Sequence, residues 1–345
     1  MDELNTLIFR TDRIGDFIIS CPFILSYKKK FKNNKITTIS SEYNFDYIKN
    51  FNFIEKVIPL KNEIKFIPKV LILLKMILLL RKNSYKHIII LDGKNRSFFI
   101  SLFLKGKKSI LLQGKGLKFI SKFFKYKSVF NYELQHQLKN FSFLASKLNF
   151  NINLNNINIY DNYKFQKKLR FNNKYILIHL DEKWFVKFHY KDFTDINPNK
   201  DQLEQFVNKI SSLTEDKIDI VISTGTTRLE VLYEFSSKFE KISDNLFVKN
   251  NISNKIYFIN NSTFNDLESL VQSSSFLICC EGGVSHVSHN FQIKTLAFYE
   301  KSRLQHTKYW TGHMNKMTLY ERKEMTDLII DQNFFNILST KINEL

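Results

Sequence analysis

Arg10-Thr11-Asp12-Arg13-Ile14-Gly15-Asp16 stands directly after the apolar run Leu7-Ile8-Phe9. Far along the chain, Cys279-Cys280-Glu281-Gly282-Gly283-Val284-Ser285-His286 stands directly after Phe276-Leu277-Ile278. Each segment reads as a strand, a glycine-containing turn and a helix start. Open α/β sheets place their ligands at that junction, beyond the carboxyl ends of the strands. One such turn in each half of the chain points to two Rossmann-like lobes facing across a cleft.

Outward from these turns the pattern alternates. Strands are predicted at Leu4–Phe9, Lys35–Ser40, Lys56–Pro59, His87–Leu91 and Ile110–Leu112, and helices at Asp16–Lys30, Tyr43–Asn50, Phe66–Arg81 and His136–Leu148. The stretch from Asn151 to Lys174 is polar and Asn-rich, and the domain boundary is expected there. Strands are then predicted at Tyr175–His179, Asp219–Ser223, Lys255–Phe258, Phe276–Cys280 and Lys294–Tyr299. Helices are predicted at Lys200–Leu213, Arg228–Lys238, Thr263–Ser273 and Val284–Phe291. Such alternation specifies an α/β fold of parallel sheets with helices on both faces. The expected domains are 1–165 and 172–330, followed by a closing helix in 331–345.

A hydrophobic content of 43% and an aromatic content of 15% provide for well-filled cores. The net charge of +19 favours anionic partners: nucleic acid, an anionic membrane surface or phosphorylated substrates. Heavy use of Ile, Phe, Lys and Asn also fits an AT-rich coding bias, which accounts for part of that charge. No nucleic-acid motif is present, so nucleic acid is not an expected partner. Cys21, Cys279 and Cys280 form no disulfide framework, which fits a reducing compartment. The acidic start of the chain runs straight into a strand, with no signal-peptide pattern. The most apolar helical stretch, Phe66–Arg81, is shorter than the ~20 residues a bilayer span needs. It is expected to be a buried helix covering the sheet, with a helix lying on a membrane surface as the alternative.

Six segments, in order, carry a likeness to a known family. They are Arg13-Ile14-Gly15-Asp16 followed by Cys21-Pro22; His87 to Gly93 with Arg96-Ser97; His136 opening a helix; Asp181-Glu182-Lys183-Trp184; Ser223-Thr224-Gly225; and Glu281 to His286. In these segments the chain resembles glycosyltransferase family nine, the lipopolysaccharide heptosyltransferase-like enzymes of GT-B fold. It departs from them at Glu281, where the family usually has Asp, and at Gly282, where it usually has Thr. Ile178, His179 and Leu180 stand where hydroxyl residues often precede the lysine, and an insertion-like stretch runs from Phe185 to Asn199.

The resemblance implies transfer of a sugar, ADP-heptose being the first donor by family, onto a membrane-borne lipopolysaccharide-core or related glycan. Asp16 is then the catalytic base; taken alone it reads equally as a first-turn acid favoured by the helix dipole. Lys183 and the Gly282-Gly283 helix start are candidates for the diphosphate, since a glycine-bearing helix N-terminus lets backbone N–H groups approach phosphate and a lysine adds charge. Ser285 and His286 are candidate donors to phosphate or sugar, and Glu281 a candidate for sugar hydroxyls. Gly225, Thr226 and Glu230 are candidates for base or ribose. Gly15 shapes the turn, and Arg10 and Arg13 flank the base, where they are candidates to neutralise a phosphorylated or carboxylated acceptor; Arg13 reads equally as a partner of Asp12 or Asp16. No paired acidic motif is visible, so no metal and no cofactor is expected, the nucleotide-sugar being a substrate. There is no G-x-S-x-G elbow, P-loop or G-x-G-x-x-G fingerprint; Gln113-Gly114-Lys115-Gly116 lacks the spacing. A cytoplasmic enzyme held at the inner membrane face is expected. A nucleotide-sugar epimerase on the same fold and a non-catalytic glycan-binding protein stay open as alternatives.

Overall fold

The computed structural model describes residues 5–112, 126–130, 136–152, 159–163, 169, 171–185, 194–214, 218–227, 229–251 and 254–345. It divides into two compact units, Met1–Lys164 and Phe165–Leu345.

The first unit runs β1 (Asn5–Arg10), α1 (Ile14–Lys30), β2 (Lys35–Ser41), α2 (Glu42–Ile48), β3 (Lys56–Leu60), α3 (Phe66–Leu80), β4 (His87–Ile90), α4 (Asn95–Leu102), β5 (Lys107–Leu112), β6 (Lys127–Phe130) and α5 (Gln137–Lys147). Its six strands are parallel in the order β3-β2-β1-β4-β5-β6. Leu7, Ile8 and Phe9 on β1 and Ile88, Ile89 and Ile90 on β4 have no exposed surface. Central strands covered on both faces must be apolar at every position, which is why these runs do not alternate.

The second unit runs β7 (Lys174–Leu180), α6 (Lys200–Ser212), β8 (Ile218–Thr224), α7 (Glu230–Ser236), β9 (Glu240–Lys241), β10 (Leu246–Asn250), β11 (Lys255–Ile259), α8 (Phe264–Ser273), β12 (Phe276–Cys280), α9 (Gly283–Asn290), β13 (Lys294–Tyr299), α10 (Leu304–Thr311), β14 (Met317–Glu321), α11 (Met325–Ile330) and α12 (Gln332–Asn343). The order is β14-β13-β12-β7-β8-β11-β10-β9. Without the β9–β10 edge it repeats the first unit's plan: the opening strand sits centrally, later strands add first on one side and then on the other. Each unit therefore has one switch point where the order reverses, between β1 and β4 in the first and between β7 and β12 in the second.

The structure departs from the sequence expectations in four places. The first unit adds α4 and β6, where no element was predicted. The second sheet is mixed, because β9 and β10 add antiparallel at its edge. The chain after Tyr299 adds α10, β14 and α11 before α12, whose Phe334, Phe335, Leu338 and Ile342 enter the same core as Trp184, Phe206 and Phe298. Finally, α3 is not the buried cover its composition suggested: only Met76, Ile77 and Leu80 are buried. The predicted helix start at Arg228, the Gln113–Gly116 stretch and most of the insertion after Phe185 (186–193) lie outside the described residues.

Candidate active site

At the first switch point, β1 ends on Arg10, whose side chain is wholly buried. Its guanidinium donates from Nε to the Asp16 carbonyl at 2.8 Å and from Nη1 to the Leu91 carbonyl at 2.8 Å, tying the turn after β1 to the end of β4. Nη1 also pairs with Asp12 Oδ2 at 3.1 Å, and Nη2 lies 3.9 Å from Asp16 Oδ1. Arg10 is thus spent inside the protein rather than offered to an acceptor. The residues that carried the family likeness around β4 hold the same turn. Asp92 accepts from Thr11 Oγ1 at 2.6 Å and from Ser97 Oγ at 2.7 Å, while Arg96 and Lys94 donate to the Thr11 carbonyl. From β2 and α2, Ser41 and Asn44 donate to the Asp12 carbonyl.

Asp16 is the third residue of α1. Its Oδ2 accepts from the Arg13 backbone N–H at 3.1 Å, closing the reciprocal half of a capping box, and its side chain keeps 23% exposure. Gly15 beside it is buried and Arg13 is exposed. His136 caps α5, its Nδ1 accepting from Leu138 N. The sequence reading gave Asp12 no role beyond an alternative pairing with Arg13. Burial pushes its carboxyl up from 3.8 to about 7; this outweighs the Arg10 charge, and Asp16 and Asp92 add repulsion. Its presence in the opening motif was visible, but its burial against Arg10 was not.

At the second switch point, β7 is followed by Asp181 and a short 3-10 turn, Glu182–Trp184. Asp181 Oδ1 accepts from Lys183 N at 3.2 Å, and Trp184 is buried against Phe298, with ring centroids 5.2 Å apart. Anchored on both sides, Lys183 reaches across to donate to the Glu281 carbonyl at the end of β12. A Cβ at position 282 would come within 2.5 Å of Lys183 Nζ, so glycine there leaves the space the ammonium occupies. Gly282 is the N-cap of α9 and Gly283 its first residue. The lysine therefore lies at the positive end of a helix. Buried Arg322 braces this arrangement, donating to the Lys183 and Thr194 carbonyls and, at 3.4 Å, to Cys280 Sγ. The sequence reading missed it because it follows β14, which carried no motif.

Burial also pushes Asp181 up to about 6, against the pull of Lys183. His179 is driven down to about 4, by burial first and then by Lys183, so it is neutral near pH 7; its Nδ1 meets Ser223 Oγ at 3.0 Å. Ser285 is fully buried and its hydroxyl is engaged in its own turn, donating to the Gly282 carbonyl at 2.7 Å. His286 is buried on α9, its ring centroid 6.3 Å from that of His313. Gly225, Thr226 and Glu230 lie beyond the end of β8, with open space around Gly225 and with Thr226 and Glu230 exposed. Glu281, Gly282, Gly225 and Lys183 thus share the carboxyl-end rim of one sheet, whereas Arg13, Gly15 and Asp16 share that of the other. Among the described residues, no group of three or more His, Cys, Asp and Glu is placed to hold a metal ion.

No family model and no curated protein sequence matches the chain. Solved structures do. An Escherichia coli heptosyltransferase WaaC with ADP-2-deoxy-2-fluoro heptose aligns over 99% of both chains at 14% identity, with a TM-score of 0.69. A glycosyl transferase family 9 structure from Veillonella parvula aligns over 100% of this chain and 99% of its own at 11% identity, with a TM-score of 0.69. A putative UDP-N-acetylglucosamine 2-epimerase from Listeria monocytogenes aligns over 99% and 91% at 10% identity, with a TM-score of 0.59. Two Rossmann-like units matched along the whole chain make this the GT-B fold.

Proposed function

We propose that this chain is a metal-independent inverting glycosyltransferase that takes a sugar from a nucleotide diphosphate donor, with ADP-heptose as the first candidate. The observation that carries it is Lys183 laid beside Gly282 at the start of α9, on the switch point of the second unit. Backbone N–H groups, the helix dipole and the ammonium meet there, which is the chemistry a departing diphosphate needs. Asp16 takes the proton from the acceptor hydroxyl as its oxygen bonds to the anomeric carbon. The bond from that carbon to the phosphate oxygen breaks, and its electron pair leaves on the diphosphate, whose charge Lys183 offsets. Glu281 is assigned to sugar hydroxyls, and Gly225, Thr226 and Glu230 to the nucleoside. Ser285 shapes the turn that presents the α9 N–H groups. The acceptor is a membrane-borne glycolipid of the lipopolysaccharide-core class.

The WaaC and family 9 likenesses support this reading through the fold they share with the chain. The test is transfer from ADP-heptose to a lipid-linked core acceptor in EDTA, with ADP binding measured by calorimetry. Transfer that resists EDTA and fails in Asp16→Asn supports the proposal. Turnover of the nucleotide-sugar without any acceptor would instead support epimerisation, the activity named for the Listeria neighbour.

A further inference from the structure

Helix α3 has two apolar faces, and the fold uses one. Met76, Ile77 and Leu80 enter the core of the first unit, together with the partly buried Ile72 and Leu73. Ile67, Val70, Leu71, Leu74 and Leu78 fall within about 100° of arc centred roughly 130° away from that buried face. They remain open: Ile67 is 71% exposed, Leu71 52%, Leu74 47% and Leu78 64%. Ile64 and Phe66, at the start of the helix, are 92% and 80% exposed. On neighbouring α4, Phe99 and Phe103 are also exposed, with ring centroids 5.2 Å apart. A continuous exposed stripe of this kind marks an interaction surface.

Charge decides what the stripe meets. From Ile64 to Leu91 the sequence holds no Asp or Glu, while Lys65, Lys69, Lys75, Arg81 and Lys82 are all exposed. Lys75 and Lys82 flank one edge of the stripe, Arg81 follows its end and Lys65 precedes its start. A second copy docking face to face would set this positive rim against itself, which is repulsive. An anionic lipid surface satisfies both parts at once, the side chains entering the acyl boundary and the cations meeting headgroup phosphates. No helix among the described residues is long and apolar enough to cross a membrane. The geometry is that of a helix lying in the plane of the interface.

We infer that α3 is a membrane-docking helix that seats the first unit on an anionic bilayer through Ile67, Val70, Leu71, Leu74 and Leu78. This goes beyond glycosyl transfer and does not depend on it, because binding is read with neither donor nor acceptor present. The experiment uses the full chain with vesicles of phosphatidylcholine alone or mixed with phosphatidylglycerol. The protein should sediment with the anionic vesicles and be released as salt shortens the screening length from ~8 Å near 0.15 M to ~3 Å at 1 M. The triple variant Leu71→Gln/Leu74→Gln/Leu78→Gln alters exposed positions with a good helix former and should retain its thermal midpoint. It should lose vesicle partitioning by about tenfold or more. Lys69→Gln/Lys75→Gln/Lys82→Gln should weaken binding to anionic vesicles and flatten its salt dependence. Undiminished partitioning of the Leu-to-Gln variant overturns the inference, as does equal binding to neutral and anionic vesicles. A wild-type dimer that the Leu-to-Gln variant turns into a monomer would assign the face to a second copy instead.

Discussion

The two switch points are built alike and present different groups. Each has a fully or almost fully buried arginine beneath its rim: Arg10 joins the Asp16 and Leu91 carbonyls, and Arg322 joins the Lys183 and Thr194 carbonyls and Cys280. The first arginine carries two carboxylates above it, Asp12 and Asp16, so that rim ends in acids. At the second, the group beside the arginine's carbonyl partners is an ammonium, Lys183, set against a glycine-bearing helix start, with Asp181 within reach of both charges. On the proposed function, the same scaffold yields one rim that accepts a proton and one that holds an anion. The difference lies in a few side chains after β1, β7 and β12, not in topology.

Removing the braces tests how alike they are. Arg10→Met leaves Asp12 buried without its cation and the Leu91 carbonyl without its donor; at pH 8 it should destabilise the first unit by ~3–5 kcal/mol, read by chemical denaturation. Arg322→Met leaves the Lys183 and Thr194 carbonyls without their donor and removes one of the charges that lower Asp181; it should cost less. Equal losses would mean the Asp12 pairing contributes nothing.

Asp16→Asn keeps an oxygen for the Arg13 N–H but loses the base. Transfer should fall by ~10²-fold or more with ADP affinity unchanged. A near-normal rate in steady-state assays would reduce Asp16 to its capping role and erase the distinction between the rims. On the other rim, Lys183→Ala should lower transfer by ~10²-fold and ADP affinity by less, because the lysine acts most on charge that develops as the diphosphate leaves. Gly282→Ala, which crowds Nζ, should reproduce a milder version of that loss. Full activity in both would separate Lys183 from the chemistry.

The smallest effect concerns pH. Asp12 titrates near 3.8 in the unfolded chain and near 7 in the fold, so between those values the folded protein holds a proton the unfolded chain has released. Stability therefore declines as pH rises from about 4 to about 7, and Asp12→Asn should flatten that decline in the thermal midpoint. An unchanged slope would show that Asp12 is not the group responsible.

By itself, the sequence determined the two-unit α/β plan, because strands buried on both faces demand unbroken apolar runs such as Leu7–Phe9 and Phe276–Ile278. It also marked both switch points, since Gly15 with Asp16 and Gly282 with Gly283 each follow such a run directly. Tertiary structure alone decided what those residues touch. That Arg10 faces inward, that Asp12 is buried beside it, and that Lys183 spans from β7 to the end of β12 all depend on strands joined only in the folded sheet. The edge pair β9–β10 was likewise invisible, being short and largely polar. The α3 stripe shows the limit most plainly. A helix this rich in apolar residues reads as buried, because periodicity records what a side chain prefers and not whether the fold supplies enough surface to cover it.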